Sequence, residues 1–221
     1  MFELENGMQY SVGSVPCFNI INDPLVEPSH CLVINTDKHI RVQNKSKFGT
    51  YSRVCYNCPY HKPFESPFYM ICGMTRFELK VDKGSVIANV QRIDTGEEFS
   101  SFIMEMDKDY TIGRSDTMEK IYKADEKMSN IHAVMKISQN KIYIQDGIMK
   151  HSLNGTWVYE SKIDMNEDHL QLRLGSTTFV TLKVREASKA ELDYKKHLLN
   201  FFQPPIASIK AGMVTMYPAE K

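Results

Sequence analysis

Arg114, Ser129 and Asn154 are the side chains of this sequence whose types suit one shared chemistry. A phosphate ester on a peptide carries about −1.5 to −2 charges and three acceptor oxygens, so its recognition calls for a guanidinium fork and short hydroxyl or amide donors. Arg114 supplies the fork and Ser129 a hydroxyl ahead of an apolar run, while Asn154 has an amide that both donates to and accepts from an extended backbone. They belong to the segments Tyr110-Thr111-Ile112-Gly113-Arg114, Ser129-Asn130-Ile131-His132 and Asn154-Gly155-Thr156. Each segment alone has a plainer explanation. Asn-Gly between apolar runs signals a hairpin turn, serine is common in loops, and a lone arginine is usually solvated. Lys127, Lys150 and His151 add positive potential nearby, although charged loop residues are commonly just solvated.

A second constellation is Cys55-x-x-Cys58 with His61, and with Cys72 or Cys31 as further thiols. C-x-x-C places two thiolates on one turn, as zinc requires. The set lacks a second C-x-x-C or a His pair at zinc-finger spacing, and Cys72 falls within a predicted strand, so these residues read as loop or buried thiols and no metal is expected. An odd number of cysteines, five in all, also argues against a secreted disulfide framework. There is no glycine-rich phosphate loop before a helix, no G-x-S-x-G elbow and no metal-binding His pair at helical spacing, so neither an enzyme nor a cofactor is expected. The thirteen methionines read chiefly as adaptable core filling.

The elements that must position these residues are short β-branched and aromatic runs broken by Gly, Asn, Asp and Pro. His39 to Gln43, Ala133 to Ile137, Lys141 to Gln145 and Thr178 to Val184 are examples, and they predict an all-β sandwich or barrel. Only Ser188 to Phe202 reads as helical, with Ser188 and Glu191 as a capping box and an apolar stripe of Tyr194, Leu198, Phe201 and Phe202 ended by Pro204 and Pro205. That stripe suits packing on its own domain or insertion into a partner, with an extended tail beyond it.

The chain also repeats itself at an offset of roughly 100 residues. Tyr10-Ser11-Val12-Gly13 lines up with Tyr110 to Gly113, Pro28-Ser29-His30 with Asn130-Ile131-His132, Gly49-Thr50-Tyr51 with Gly155-Thr156-Trp157, and Gly73 to Val81 with Gly175 to Val184. Two homologous β domains are predicted, 1–82 and 86–186, followed by a helix and tail over 187–221. The seam is placed at Asp82-Lys83-Gly84-Ser85, a polar Gly/Ser stretch of the kind that joins domains.

The Gly113-Arg114, Ser129-x-x-His132 and Asn154-Gly155 pattern resembles the signature of forkhead-associated (FHA) domains, over nearly all of residues 86–186. The resemblance implies an eleven-stranded β-sandwich whose loops at one end bind phosphothreonine peptides. It implies that Arg114 and Ser129 contact the phosphate, that Asn154 holds the ligand main chain, and that Gly113 and His132 shape the loops. Asn130, Gly155 and Thr156 are carried as further phosphopeptide-binding positions, with Ser115, Lys127, Lys150, His151 and Ser152 as candidate extra contacts. The first repeat departs from the pattern, with Ser14, Glu27 and Phe48 where Arg114, Ser129 and Asn154 stand, while Gly13, His30, Gly49 and Thr50 persist. Glu27 would repel a phosphate, so the first domain is expected to be degenerate and to serve in docking.

Lys and Arg number 27 against 27 Asp and Glu in 221 residues, so no net positive field favours nucleic acid or an anionic membrane. No charged n-region with an apolar h-region opens the chain, and two prolines interrupt the uncharged run Leu198 to Ile209. An intracellular protein is expected, in the nucleus, cytoplasm or cytoskeleton. The predicted function is a phosphothreonine-reading adaptor; the alternative is a phosphate-independent scaffold subunit of a chromatin or axonemal assembly.

Overall fold

A computed structural model describes residues 2–4, 7–14, 19–20, 23–36, 39–165, 169–176, 178–186 and 212–218. The described secondary structure is all β, as the short apolar runs require. Its first strands are β1 (Phe2–Leu4), β2 (Gln9–Gly13), β3 (Asn19–Ile20), β4 (Cys31–Asn35), β5 (Ile40–Asn44), β6 (Thr50–Arg53), β7 (Tyr60–Pro63), β8 (Phe68–Cys72), β9 (Thr75–Asp82) and β10 (Ser85–Arg92). They continue with β11 (Glu98–Met104), β12 (Tyr110–Gly113), β13 (Lys120–Ile121), β14 (Ala133–Ser138), β15 (Lys141–Asp146), β16 (Thr156–Tyr159), β17 (Lys162–Asp164), β18 (His169–Leu174), β19 (Thr178–Glu186) and β20 (Gly212–Pro218). No helix occurs among the described residues, so none is long and apolar enough to cross a membrane.

The chain divides into two compact units, a continuous one of Tyr51–Glu160 and a two-segment one of Met1–Thr50 with Ser161–Lys221. In the continuous unit one layer has the strand order β6-β16-β8-β9-β10-β11 and the other β13-β12-β14-β15-β7. Alternation decides which side chains lie between them. Ala133, Met135 and Ile137 of β14 and Ile142 and Ile144 of β15 are buried with Met70, Phe77, Leu79, Ala88 and Val90 in one core. In the two-segment unit the layers are β1-β20-β19-β18 and β17-β5-β4-β2-β3, and its core includes Val12, Cys31, Val33, Val42, Leu172 and Leu182.

These units do not follow the 1–82 and 86–186 division. Asp82 to Ser85 is a tight hairpin that pairs β9 with β10 over eight residue pairs, from Ser85 opposite Asp82 to Arg92 opposite Thr75. Lys83 and Gly84 both have positive φ, 48° and 84°, which is the two-residue turn matching strand twist. A polar Lys-Gly pair is the signature of a hairpin as well as of a linker, and here the hairpin prevails. It commits β7, β8 and β9 to the unit that holds Arg114, while β17, β18 and β19 join the unit that begins with β1. Each unit therefore combines the opening half of one predicted repeat with the closing half of the other.

The C-terminal region also differs from expectation. Gly212–Pro218, predicted as part of an extended tail, is a strand between β1 and β19, in register from Phe2 opposite Met216 and from Val180 opposite Pro218. The predicted helix Ser188 to Phe202 lies outside the described residues.

Candidate functional site

The loops at one end of the continuous unit are fixed by backbone contacts around Gly113 and His132. At Gly113, an added Cβ would lie 2.1 Å from the Asn130 carbonyl oxygen, so only glycine allows the β12 end to approach that loop. Immediately beyond, the Arg114 and Ser115 N–H groups donate to the Ser129 and Asn130 carbonyls, each at 3.1 Å. His132 is fully buried. Its Nδ1 accepts from the Ser129 N–H at 2.9 Å, which leaves the ring proton on Nε2 to donate to the Gly155 carbonyl at 3.1 Å. One imidazole thus ties the serine segment to the Asn-Gly segment, while the backbone bonds of Arg114 and of His132, whose N–H donates to the Ile112 carbonyl at 2.9 Å, hold the serine segment against the end of β12.

These loops surround an open depression of ≈ 780 Å³ lined by Arg114, Lys127, Ser129, Asn130, Lys150, His151 and Asn154 among others. The structure therefore brings together Arg114, Ser129 and Asn154 with three of the nearby cationic candidates. Ser129 Oγ accepts from the Leu153 N–H at 3.0 Å, so its hydroxyl proton is left to donate outward. Asn154 Nδ2 donates to the Lys127 carbonyl at 2.7 Å, which orients the exposed amide. Arg114 Nε is buried without a hydrogen-bond partner. Arg76 and Arg173 share that feature, but each commits its Nη2 to a neighbour, Gln91 and the Ser176 carbonyl. Among the described residues no side chain forms a hydrogen bond or ion pair with Arg114, so its charge is not neutralised by a carboxylate.

Other predicted site residues lie behind the depression. Thr156 is buried and its hydroxyl donates to Asp146 Oδ1 at 2.7 Å, as does that of the buried Ser152 at 2.5 Å. Gly155 contributes its carbonyl to His132 and a φ of +75°. Ser115 pairs with the Thr117 hydroxyl at 2.9 Å. Tyr159 to Asp168, predicted as a loop near the ligand, instead contains β17, which pairs with β5 in the other unit. Sequence reasoning missed Asp146 and also Asp125, whose carboxylate accepts from the Met74 N–H and the Thr75 hydroxyl at 2.8 Å each and so pins the β8–β9 hairpin. The repeat carried the signal for Asp125. Asp23 stands at the matching offset and accepts from the Ser176 N–H and Thr178 hydroxyl, pinning the β18–β19 hairpin.

The same local geometry recurs in the two-segment unit. Gly13 would carry a Cβ 2.0 Å from the Pro28 carbonyl oxygen, and Ser14 N–H donates to Glu27 O at 3.1 Å. His30 Nδ1 accepts from the Glu27 N–H at 3.2 Å, and its Nε2 donates to Gly49 O at 2.8 Å. The binding positions differ. Glu27 turns its carboxylate onto the Lys47 N–H at 3.1 Å, the place that Ser129 Oγ fills for Leu153. Burial holds the His30 imidazole below its ordinary value of 6.5, against the Gly49 bond and the Glu27 and Asp23 charges, which raise it. The folded state therefore favours the neutral ring, whose contribution is complete above about pH 6.5 and is lost as pH falls below it. Thermal melts between about pH 7.5 and about pH 5.5 should show a declining midpoint, with a shallower slope for His30→Gln; equal slopes would exclude His30 as a source.

Cys55 and Cys58 are exposed, Cys31 and Cys72 are buried, and His61 stacks on Tyr143 with ring centroids 3.9 Å apart. Burial pushes the Cys31 thiol up to about 12, which keeps it neutral. Among the described residues no three His, Cys, Asp or Glu side chains are grouped to hold a metal ion.

Comparison with curated proteins and with solved structures returns no match. The FHA domain family model matches residues 110–178, a stretch that runs from the strand before Arg114 into β19 and so crosses from one compact unit to the other. Its matched residues contain the Gly113-Arg114, Ser129-x-x-His132 and Asn154-Gly155 segments, so residues 110–178 carry a match to the FHA domain family.

Proposed function

We propose that this protein is an adaptor that captures a threonine-phosphorylated partner in the depression of its continuous unit. FHA domains are non-enzymatic modules that bind phosphothreonine-containing proteins. The observation that carries the reading is the unpaired Arg114 guanidinium beside the Ser129 hydroxyl and the oriented Asn154 amide. In the proposed complex Arg114 and Ser129 hold the phosphate, Asn154 fixes the peptide backbone, and Lys127, Lys150 and His151 add positive potential at the rim. Glu126 stands on the same rim and opposes them, which makes the guanidinium contact the dominant attraction. Calorimetric titration of the full chain with phosphothreonine, phosphoserine and unphosphorylated versions of one peptide pool tests this. Binding confined to phosphothreonine supports it, and no binding to any pool overturns it.

The rim also carries exposed apolar side chains, Met149 and Leu153 at 87% and 84% exposure with Ile131 and Ile148 beside them. We read these as contacts for an apolar residue flanking the phosphothreonine. Leu153→Ala is expected to weaken a leucine-flanked phosphopeptide about threefold to tenfold by loss of apolar burial. An aspartate-flanked peptide should be nearly unaffected, and equal loss for both would contradict the assignment.

The two sets of matching contacts are read as two FHA-type repeats, of which the first has lost its phosphate pocket and, with the C-terminal segment, docks other proteins. Glu27 favours a phosphate-independent role for the two-segment unit, because its carboxylate occupies the position where a phosphate donor stands in the other.

A further inference from the structure

The turn after β6 holds a pair of thiols. Cys55 and Cys58 are exposed free thiols at positions i and i+3. The Cys58 N–H donates to the Cys55 carbonyl at 3.3 Å, and the two residues form an antiparallel bridge pair across Tyr56-Asn57. Such a turn keeps its ends within about 7 Å, and a hydrogen-bonded antiparallel pair has its Cα atoms about 5.5 Å apart with both side chains on one face. A disulfide spans about 4.4 to 6.8 Å between Cα atoms, so this turn meets its main distance requirement without rearrangement of the strands.

This turn is also joined to the phosphate-site loops. At its base the Val54 N–H donates to the Thr156 carbonyl at 2.8 Å, two residues beyond Asn154. At its tip the Tyr56 ring meets His151 edge-on, with centroids 6.3 Å apart and planes at 73°. His151 lines the depression.

We propose that Cys55 and Cys58 are a reversible redox-modification site that closes as an intra-turn disulfide and, by holding Tyr56 against His151, stiffens one wall of the depression. The oxidant is a low-molecular-weight disulfide such as oxidised glutathione. One cysteine thiolate attacks its sulfur–sulfur bond, forming a mixed disulfide and releasing one glutathione thiol. The second cysteine thiolate attacks the protein sulfur of that mixed disulfide, releasing the second. The protein loses two hydrogens and the oxidant gains two. The coupling to binding, though not the disulfide itself, rests on the phosphothreonine reading of the site.

The test uses the full chain equilibrated in glutathione buffers of graded redox ratio, alkylated, and mapped by mass spectrometry, with Cys55→Ser and Cys58→Ser as controls. The expected result is loss of two hydrogens with joint protection of Cys55 and Cys58. Continued alkylation of both, or a separate glutathione on each, overturns the disulfide. Phosphothreonine-peptide affinity is then measured on reduced and oxidised protein. A wall held in place before binding should tighten the oxidised form about threefold to tenfold, with no response in either serine variant. Equal or weaker affinity after the disulfide has formed overturns the coupling. A reduced protein that binds no phosphopeptide overturns the site reading and the coupling with it, while the mass result still decides the disulfide.

Discussion

Replacing Arg114 by alanine is expected to lower phosphothreonine-peptide affinity about tenfold to a hundredfold, or roughly 1.5 to 3 kcal/mol, while leaving the fold intact. The magnitude follows from the surroundings of the guanidinium. It has no carboxylate partner among the described residues and its Nε is already desolvated, so the ligand supplies a missing partner instead of displacing one. Because no intramolecular bond of this side chain is lost, the melting temperature of Arg114→Ala should stay close to that of the parent. Arg114→Lys keeps the charge but not the planar fork and should recover only part of the affinity. Calorimetry on the full chain checks both. Undiminished binding by Arg114→Ala would remove the guanidinium from the site.

The second large effect is expected on stability. His132→Ala should cost on the order of 3 to 5 kcal/mol, because it strands the Ser129 N–H and the Gly155 carbonyl and leaves a cavity at a fully buried position. Those two groups belong to different loops, so phosphopeptide binding should fall with stability although the buried His132 does not line the depression. Urea denaturation followed by tryptophan fluorescence is a direct check, since Trp157 donates from its indole Nε1 to the Asn154 carbonyl at 2.9 Å. A loss below about 1 kcal/mol would show that the loops are held by other contacts.

Much of the site was legible in the sequence because its residue types are chemically restrictive. The FHA resemblance singled out Gly113 and His132 and the internal alignment singled out Gly13 and His30, and the structure supplies the reason, a Cβ clash at each glycine and a two-ended hydrogen bond at each histidine. The hydroxyls of Ser152 and Thr156 were less legible. In sequence they look like loop donors, and only folding brings the Asp146 carboxylate behind them and turns both inward. The apolar rim was hidden for a related reason, since Ile148, Met149 and Leu153 look like ordinary core residues until the fold leaves them exposed.

The sequence by itself determined the all-β class, the strands at Ala133 to Ile137 and Lys141 to Gln145, each one residue longer in the structure, and the repeated order of glycine, histidine and Gly-Thr motifs. These are local properties, set by side-chain alternation, turn chemistry and the few residues able to occupy a crowded backbone position. Only the tertiary structure decided which strands share a core. Strands of similar alternating pattern are nearly interchangeable as pairing partners, so their pairing depends on chain connection, and the two-residue turn at Lys83-Gly84 gives β9 its neighbour in β10 at almost no loop-closure cost. That single hairpin places β8 and β9 in the same core as β12, the strand that leads into Arg114.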